Sequence, residues 1–330
     1  MHSISFSMIK IAIIGYGNLG RACERIAIDS EDMEVFGIFT RREPSSLSSP
    51  YGTRFFRQSD IEQYKEQIDV ACICTGSAND VTELAGRLAK SFNTVDSFDT
   101  HSKMIEYADD MRKSALEGGR LCFIGIGWDP GLFSLMRALF DGVLPCGNTQ
   151  TFWGRGVSQG HSEAIRRIEG VKDAKQYTVP KEDALKLARD GNGSMLTDRD
   201  RHLRECYVVA EDGVDKDRIK REIVTMPNYF EPYDTIVHFI DENEFRKKHS
   251  SMAHAGFVTR GGSVNDTAQS LEFSLKLDSN PDFTASVLMA YARANAKLYA
   301  AGERGVRTIL DIPVSALLNG CFMSNVRKYI

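Results

Sequence analysis

The sequence MIKIAIIGYGNLGR, residues 8–21, decides the fold. An apolar run of strand length leads into three glycines spaced G-x-G-x-x-G, and a helical pattern of apolar residues follows. Strand, tight turn and helix in this order form the first half of a dinucleotide-binding unit. In such a unit Gly15 permits the sharp turn, Gly17 lets backbone N–H groups approach a pyrophosphate, and Gly20 lets the helix pack on the strand. The helix N-terminus then presents unsatisfied donors and a positive dipole end to the anion.

The end of the second predicted strand, Met33–Phe39, indicates which cofactor is preferred. An NAD site usually carries an acidic residue about 20 residues after the glycines, where it holds the ribose hydroxyls. This chain has Thr40, Arg41 and Arg42 there, and a hydroxyl with two guanidinium groups suits a 2′-phosphate. The sequence therefore favours NADP over NAD. The alternatives are a glycine turn that binds nothing and two arginines that are only solvated loop charges.

Length and composition exclude several classes of protein. A chain of 330 residues can bury a large core and is expected to form two domains. Its net charge of −4 gives no sign of nucleic-acid binding. It has neither an apolar stretch of membrane-spanning length nor a signal peptide, so a cytoplasmic protein is expected.

The cysteines point to the same compartment. Their number, seven, is odd, and most lie in apolar runs, which indicates reduced and buried thiols. We expect the thiols of Cys72 and Cys74 to face opposite sides of a predicted strand. No metal site is therefore expected.

Short apolar strands alternate with helical segments from the start of the chain to about residue 125. This rhythm predicts an α/β fold with a Rossmann-type, doubly wound parallel sheet. Ligands of such sheets bind outside the carboxyl ends of the strands, and one crevice could collect all of these ends. They are expected at residues 15–20, 40–42, 74–77, 97–99 and 126–130.

The pattern changes near Trp128. Asp129 followed by Pro130 predicts a helix start with the aspartate as N-cap. Beyond it strands and helices no longer alternate, which predicts an inserted α+β domain. A long helix from Asn280-Pro281 to Gly302 is expected to return to the first domain. The predicted domains are therefore residues 1–128 with 280–330, and residues 129–279.

Several stretches carry a more specific signal than the glycines. They are Gly15–Arg21, Cys74–Ala78, Trp128–Gly131, Thr151–Gly154, Ser158–Ser162, Gln176–Thr178, Met226–Phe230 and Lys276–Ser286. With these stretches the chain resembles the meso-diaminopimelate dehydrogenase family from Ile9 to about Pro313. The resemblance implies that the first domain binds NADP and that the inserted domain binds substrate and forms a homodimer.

The resemblance also implies an activity. The family oxidatively deaminates the D-centre of meso-2,6-diaminopimelate with NADP⁺. The products are L-2-amino-6-oxopimelate (the open-chain precursor form of tetrahydrodipicolinate), ammonia and NADPH. In reverse, the reaction is a reductive amination that serves lysine and peptidoglycan synthesis. Neither a nucleic acid nor a membrane is expected as a partner.

The resemblance assigns residues to each part of this substrate. Asp99 and Asp129 would bind the reacting amine as the catalytic pair, with Trp128 beside them. The D-centre carboxylate would be held by Trp153, Gln159 and Gly160. The other end would be held by Thr178, Arg204, His254 and Asn280.

The residues that the resemblance assigns to the cofactor follow the predicted strand ends. They are Gly15, Tyr16, Gly17, Asn18, Leu19, Gly20, Thr40, Arg41, Arg42, Cys74, Thr75, Gly76, Ser77, Ser97, Phe98, Asp99, Ile126, Gly127, Trp128, Asp129 and Pro130. Three details depart from the family pattern: Thr40 where serine is common, Phe98 where tyrosine is usual, and Met252–Phe257 where Met-Pro-His-Gly-Gly-His is usual.

Structural roles compete with these assignments. Without the resemblance, only Asp99, at a strand end of an α/β sheet, would be identified as functional. The others have common alternatives: N-caps for Asp129 and Asn280, the core for Trp153, a plain strand for Thr178, the surface for Arg204 and a loop for His254. Two further functions also compete, a different NADP-linked amino-acid or dicarboxylate oxidoreductase and a catalytically silent NADP-binding regulator.

Overall fold

The computed structural model describes residues 8–76, 80–250 and 253–330, so that Ser77 of the predicted cofactor site lies outside the described residues. The chain forms two compact units. The first unit comprises Met1–Leu135 and Pro281–Ile330, and the second comprises Met136–Asn280. The first boundary thus lies after Leu135, later than the predicted boundary at residue 128. No described helix combines the length and the apolar character needed to span a membrane.

Parallel strands and helices alternate along the first unit, and a mixture of antiparallel and parallel strands builds the second. The strands are β1 (Ile9–Ile14), β2 (Met33–Thr40), β3 (Phe55–Arg57), β4 (Val70–Ile73), β5 (Thr94–Asp96), β6 (Leu121–Phe123), β7 (Gly147–Trp153), β8 (Gly156–Val157), β9 (Val171–Pro180), β10 (His202–Ala210), β11 (Asp234–Phe239), β12 (His254–Val264), β13 (Thr267–Leu277) and β14 (Gly305–Arg307).

The α-helices range from one turn to almost six turns. They are α1 (Asn18–Ile28), α2 (Asp80–Leu88), α3 (Met104–Gly118), α4 (Leu132–Val143), α5 (Gln159–Arg166), α6 (Glu182–Arg189), α7 (Asp198–Arg201), α8 (Lys216–Val224), α9 (Glu242–Lys248), α10 (Asn280–Ala300), α11 (Val314–Leu317) and α12 (Phe322–Tyr329).

The sheet of the first unit has seven parallel strands in the order β14-β6-β5-β4-β1-β2-β3. The predicted doubly wound parallel sheet is therefore confirmed. Its chain order reverses between β1 and β4, the position at which such sheets bind ligands. The sequence reading missed β3 and β14, because three residues carry too little periodicity to be recognised as a strand.

Alternation along β1 distributes its side chains to two apolar layers. Ile11 and Ile13 pack with α1 and α10, whereas Ala12 and Ile14 pack with α2 and α3. From Ile11 onward β1 is buried on both faces, so this part of its sequence is apolar and does not alternate, whereas Lys10 near its start is exposed.

The prediction for the paired cysteines is wrong. Cys72 and Cys74 belong to the same apolar layer, because residues two apart in a strand share a face. The Sγ atom of Cys74 lies 3.6 Å from that of Cys23 on α1. Within the described ranges, no group of three or more His, Cys, Asp or Glu side chains could hold a metal ion.

The second unit has the predicted α+β character. One sheet has the order β11-β10-β9-β8, and the other has the order β13-β12-β7. Helices α5 and α8 cover one face of the four-stranded sheet through Ile165, Ile219 and Ile223. Helix α6 packs on the three-stranded sheet, where Leu185 meets Phe152.

The helix predicted from Asp129 starts later than expected. The N–H of Leu132 donates to the carbonyl of Gly127, and that of Phe133 donates to Trp128. The chain therefore makes a tight turn first, and α4 begins at Leu132, so Asp129 is not its N-cap. A Cβ atom on Gly131 would lie 1.8 Å from the Gly127 oxygen, so this turn requires glycine.

Helix α10 is fixed to the sheet by a buried amide. The Nδ2 atom of Asn295 donates to the carbonyls of Thr94 at 3.3 Å and Leu121 at 3.0 Å. These carbonyls belong to β5 and β6, so one side chain joins α10 to two strands from the first half of the chain.

Replacing Asn295 with alanine should therefore destabilise the protein. We expect a loss of about 1–3 kcal/mol, because the variant removes buried hydrogen bonds without filling their space. Thermal unfolding followed by circular dichroism measures the change. Asn243→Ala, at an exposed position of α9, is the matched control and should melt like the wild type. Equal melting of both variants would show that the amide does not anchor α10.

Candidate active site

The glycine turn after β1 has the geometry of an anion cradle. Gly15 has φ +98°, a value that favours glycine. A Cβ atom on Gly20 would lie 2.1 Å from the Gly15 oxygen, whereas one on Gly17 would meet no atom within 4 Å. Gly20 thus allows close packing of α1, and Gly17 leaves the space over its backbone open. Asn18 and Leu19 begin α1, and their N–H groups belong to its unsatisfied first turn.

Hydrogen bonds align this turn with the neighbouring strand ends. The N–H of Gly15 donates to the carbonyl of Phe39 at 2.8 Å, and that of Cys74 donates to Ile14 at 2.8 Å. Cys74, Thr75 and Gly76 therefore follow β4 directly beside the glycines. A Cβ atom on Gly76 would also meet no atom within 4 Å.

The side chain of Tyr16 links the turn to α1 through a hydrogen bond. Its hydroxyl donates to the buried carboxylate of Glu24 at 2.6 Å, and Ser49 donates to the same carboxylate at 2.5 Å. Burial and the Glu24 carboxylate raise the pKa of Tyr16 to about 12, so this phenol stays protonated. The guanidinium of Arg21 lies 4.5 Å from the centre of the Tyr16 ring.

The two arginines after β2 have different surroundings. A guanidinium N–H of Arg42 donates to the Tyr16 carbonyl at 2.6 Å, and its backbone N–H donates to the hydroxyl of buried Thr40 at 3.1 Å. Arg42 therefore binds the loop to the glycine turn. Arg41 instead lines a cavity of about 490 Å³ together with Thr75.

Asp96, a residue that the sequence reading missed, organises the ends of β5 and β6. Its fully buried carboxylate accepts hydrogen bonds from the N–H of Phe98 at 2.9 Å, the N–H of Gly125 at 3.2 Å and the hydroxyl of Tyr107 at 2.6 Å. Burial raises the pKa of Asp96, and these three donors oppose that effect. Its position inside an apolar strand was the available signal, because a carboxylate there needs partners.

Asp96 thereby holds two segments that carry predicted site residues. Ser97, half-buried, precedes buried Phe98 and exposed Asp99. The N–H of Ile126 donates to the Asp96 carbonyl at 2.8 Å, and Gly127 follows it.

The turn after Gly127 carries the other predicted residues of the first unit. Trp128, Asp129 and Pro130 are half-buried. The Trp128 ring meets that of Phe133 edge-on, with ring centres 5.4 Å apart. The first unit thus brings the described cofactor candidates to the carboxyl edge of one sheet.

In the second unit, a buried histidine holds the end of β7. The Nε2 atom of His202 accepts the N–H of Trp153 at 2.9 Å, so this histidine is neutral. Burial, helped by the charge of Arg204, lowers the pKa of His202 to about 4. The next residue, Gly154, has φ +131°, and a Cβ atom there would lie 2.3 Å from the Thr178 oxygen.

Gln159 and Gly160 form the exposed first turn of α5. His161 secures this turn: Ser158 Oγ and His161 Nδ1 lie 2.7 Å apart, and His161 Nε2 is 3.1 Å from the Tyr229 carbonyl. Since that carbonyl can only accept, Nε2 carries the proton. Burial, and then the charge of Arg204, lower the pKa of His161 to about 4. His161 lies within the stretch Ser158–Ser162 that carries the resemblance, but the sequence alone assigned it no role.

Arg204 is a buried cation without an acidic partner. It is 8% exposed, and no carboxylate among the described residues lies within 4 Å of it. Its guanidinium donates to the hydroxyl of Thr178 and lies over the Tyr233 ring, 3.8 Å from the ring centre. Its Nε atom is buried, and no described residue accepts a hydrogen bond from it. Burial lowers the pKa of Arg204.

A second unsatisfied group lies on the same face of the sheet. Gln176, two residues before Thr178 in β9, is fully buried, and its Nε2 atom is 3.4 Å from the Thr178 hydroxyl. Its Oε1 atom has no partner. The sequence reading did not assign Gln176, because an amide in a strand carries no functional signal without its neighbours.

His254 and Asn280 occupy element ends of the second unit. His254 is the first residue of β12, where it pairs with Leu277, and Asn280 is the first residue of α10. Both side chains are half-buried.

Comparison with known proteins gives a consistent result. A family model described as "Diaminopimelic acid dehydrogenase C-terminal domain" matches residues 127–279. The meso-diaminopimelate D-dehydrogenase of Lysinibacillus sphaericus is 51% identical over 313 residues, which cover 94% of this chain and 96% of that protein.

Two solved structures are similar over nearly the whole chain. The DAP dehydrogenase of Corynebacterium glutamicum, in complex with DAP, has a TM-score of 0.85 at 40% identity. An engineered D-amino acid dehydrogenase bound to NADP⁺ has a TM-score of 0.80 at 38% identity. Each covers 98% of this chain and 100% of the other.

The neutral state of His202 makes the second unit sensitive to acid. In the unfolded chain His202 binds a proton near pH 6.5, whereas in the folded protein it does so only near pH 4. Its contribution to the free energy of unfolding is therefore fully present above pH 6.5 and is lost as the pH falls toward 4. At pH 5 we expect His202 to lower the free energy of unfolding by about 2 kcal/mol. Urea unfolding at pH 7 and pH 5 measures the loss, and His202→Gln should show a smaller one. An equal loss in both proteins would assign the acid sensitivity to other groups.

Proposed function

The chain belongs to the meso-diaminopimelate D-dehydrogenase family, and from this membership we propose how its residues carry out the reaction. It is an NADP-dependent oxidoreductase that reversibly deaminates the D-centre of meso-2,6-diaminopimelate, a step of lysine and diaminopimelate biosynthesis. Oxidation of the D-carbon gives an imine, and water converts the imine to L-2-amino-6-oxopimelate with release of ammonia. When bound, NADP⁺ supplies the hydride acceptor.

We assign the cofactor to the strand ends of the first unit. The open backbone at Gly17 and the first turn of α1 suit the pyrophosphate. Arg41 would contact the 2′-phosphate, and Arg42 would hold the loop that carries it. Further along the same edge, the buried hydroxyl oxygen of Thr75 finds no hydrogen-bond partner in the described part of the chain, and a ligand would satisfy it.

The observation that carries the substrate assignment is the buried charge of Arg204. A guanidinium in a low-dielectric site is costly unless an anion accompanies it. The described protein supplies no such anion, and the far carboxylate of diaminopimelate would supply it. Thr178, bonded to Arg204, would donate to the same carboxylate. His254 and Asn280 are the remaining candidates for this end of the substrate.

At the reacting end, we propose that Asp99 and Asp129 bind the ammonium group. Two carboxylates can accept its N–H groups and, after a proton leaves, orient the nitrogen lone pair. Trp153, Gln159 and Gly160 would hold the adjacent carboxylate, with support from the exposed first turn of α5. Trp128 would lie beside the reacting centre. These residues bind and orient, so positioning accounts for their contribution.

We further propose that the protein is a cytoplasmic homodimer. The seven cysteines are all free thiols, which suits a reducing compartment. In the second unit, β13 is an edge strand of its sheet, and most of its residues are exposed. Leu139 and Val143 are also large exposed apolar side chains. Light scattering tests this state, since a dimer has twice the chain mass of 36.8 kDa.

A substrate-dependent assay tests the function. The purified protein should form NADPH from NADP⁺ with meso-diaminopimelate, but not with the LL isomer, glutamate or lysine. Asp99→Ala should lose most turnover while still binding NADP⁺, because Asp99 is assigned to the amine. Activity with glutamate alone would favour a different amino-acid oxidoreductase. Unchanged turnover in Asp99→Ala would remove that residue from the site.

Arg204→Met tests the far end of the substrate. Methionine keeps the aliphatic part of the side chain but lacks the guanidinium and its charge-assisted hydrogen bonds to the substrate. KM for meso-diaminopimelate should therefore rise roughly 10- to 100-fold. NADP⁺ binding should not change. Arg199→Met, which alters a half-exposed arginine nearby in the chain, is the control and should keep the wild-type KM. A wild-type KM in Arg204→Met would exclude the proposed carboxylate contact.

A further inference from the structure

The cavity beside Arg41 is lined by more residues than the sequence assigned to the cofactor. Four segments contribute: Arg41 follows β2, Gln58 follows β3, Thr75 follows β4, and α2 supplies the rest. The α2 residues are Glu83, Leu84 and Arg87, and the described residues line a space of about 490 Å³. Two guanidinium groups from separate elements therefore border one cavity.

We propose that Arg87 is a second determinant of NADP specificity, which binds the cofactor's 2′-phosphate together with Arg41. The proposal deepens the cofactor assignment above and rests on it. A phosphate monoester carries between one and two negative charges and three acceptor oxygens, more than one guanidinium can satisfy. Arg87 approaches the cavity from α2, whereas Arg41 approaches it from the loop after β2.

The environment of Arg87 suits this role. Its side chain is exposed and no carboxylate among the described residues forms an ion pair with it, although Glu83 lies one helical turn earlier. The guanidinium is therefore available to a ligand. Leu84, 7% exposed, is the apolar member of the same lining.

Thr75 provides an independent indication that a ligand enters this cavity. Its Oγ1 atom is buried and has no hydrogen-bond partner among the residues that the structure describes. Buried hydroxyl groups are nearly always satisfied in folded proteins. A phosphate or ribose oxygen in the cavity would accept this hydrogen bond.

Glu83 makes the electrostatic prediction specific. Its carboxylate borders the same cavity and would repel a 2′-phosphate. It would not repel a ribose that carries a hydroxyl at this position, because a carboxylate can accept a hydrogen bond from that hydroxyl. Arg87 and Glu83 should therefore change NADP⁺ affinity in opposite directions, and loss of Arg87 should leave NAD⁺ affinity nearly unchanged.

Binding measurements without diaminopimelate test the proposal. Calorimetry would give Kd for NADP⁺, NAD⁺, adenosine 2′-phosphate and adenosine 5′-phosphate. In Arg87→Ala, affinity for NADP⁺ and adenosine 2′-phosphate should fall roughly tenfold, the value of one charge-assisted contact at an exposed site. Affinity for the other two ligands should change less than about twofold, and Glu83→Gln should bind NADP⁺ more tightly than the wild type.

Control variants separate the possible failures. Arg87→Lys should keep most of the NADP⁺ affinity, and Arg112→Ala, an exposed arginine of α3 outside this cavity, should keep all of it. Equal losses for NADP⁺ and NAD⁺ in Arg87→Ala would indicate contact with adenine and overturn the phosphate assignment, as would no loss at all. If Arg41→Ala also leaves NADP⁺ binding unchanged, the cofactor assignment itself fails. If only Arg41→Ala weakens it, the role of Arg87 alone is wrong.

Discussion

The close approach of α1 to the end of β1 is the constraint on which the first unit depends. A side chain on Gly20 would put carbon 2.1 Å from the Gly15 oxygen, so no other residue permits this packing without displacing the helix. The contact directs the first turn of α1 at the edge where Phe39 accepts the N–H of Gly15 and Cys74 donates to the carbonyl of Ile14. The packing of the helix on the strand therefore forms the anion cradle by itself.

Asp96 extends this organisation to the other half of the edge. Its carboxylate and its backbone carbonyl together hold the segments after β5 and β6, which carry Asp99 and Asp129. A residue that orients an ammonium ion is effective only if its own loop is fixed, because small misplacements have large effects on rate. In the proposed site the buried Asp96 is therefore a positioning residue, and the hydroxyl of Tyr107 is one of its three donors.

The sequence predicted the architecture well where local patterns were long and failed where they were short. The glycine spacing and apolar runs such as Ile11–Ile14 were sufficient for the parallel sheet, whereas the three-residue strands β3 and β14 were missed. The helix start at Asp129 was wrong because the turn closed by Gly131 takes precedence over the capping pattern. Gln176 and Asp96 were missed as parts of the site, since their importance comes from partners distant in sequence and from burial.

A comparison of two buried arginines in the second unit explains why Arg204 is interpreted as functional. Arg260 is 5% exposed, and its guanidinium is bonded to Asp141, Thr149 and the carbonyls of Leu144 and Pro145. It has the arrangement of a structural ion pair, because a carboxylate of the protein itself neutralises its charge. Arg204 is similarly buried, yet among the described residues it finds a hydroxyl and a ring and keeps its Nε unsatisfied.

The histidines near Arg204 increase this contrast. His161 and His202 are both neutral, in part because the Arg204 charge opposes their protonation, so they add no charge of their own. A buried cation with no counter-ion lowers stability, and an apolar side chain of similar size would pack there at less cost. A charge that costs stability indicates a functional role, and in the proposed site its partner is the anion of a bound ligand. A dicarboxylate substrate is such an anion. If one of its carboxylates binds Arg204, its other end remains available for the reaction.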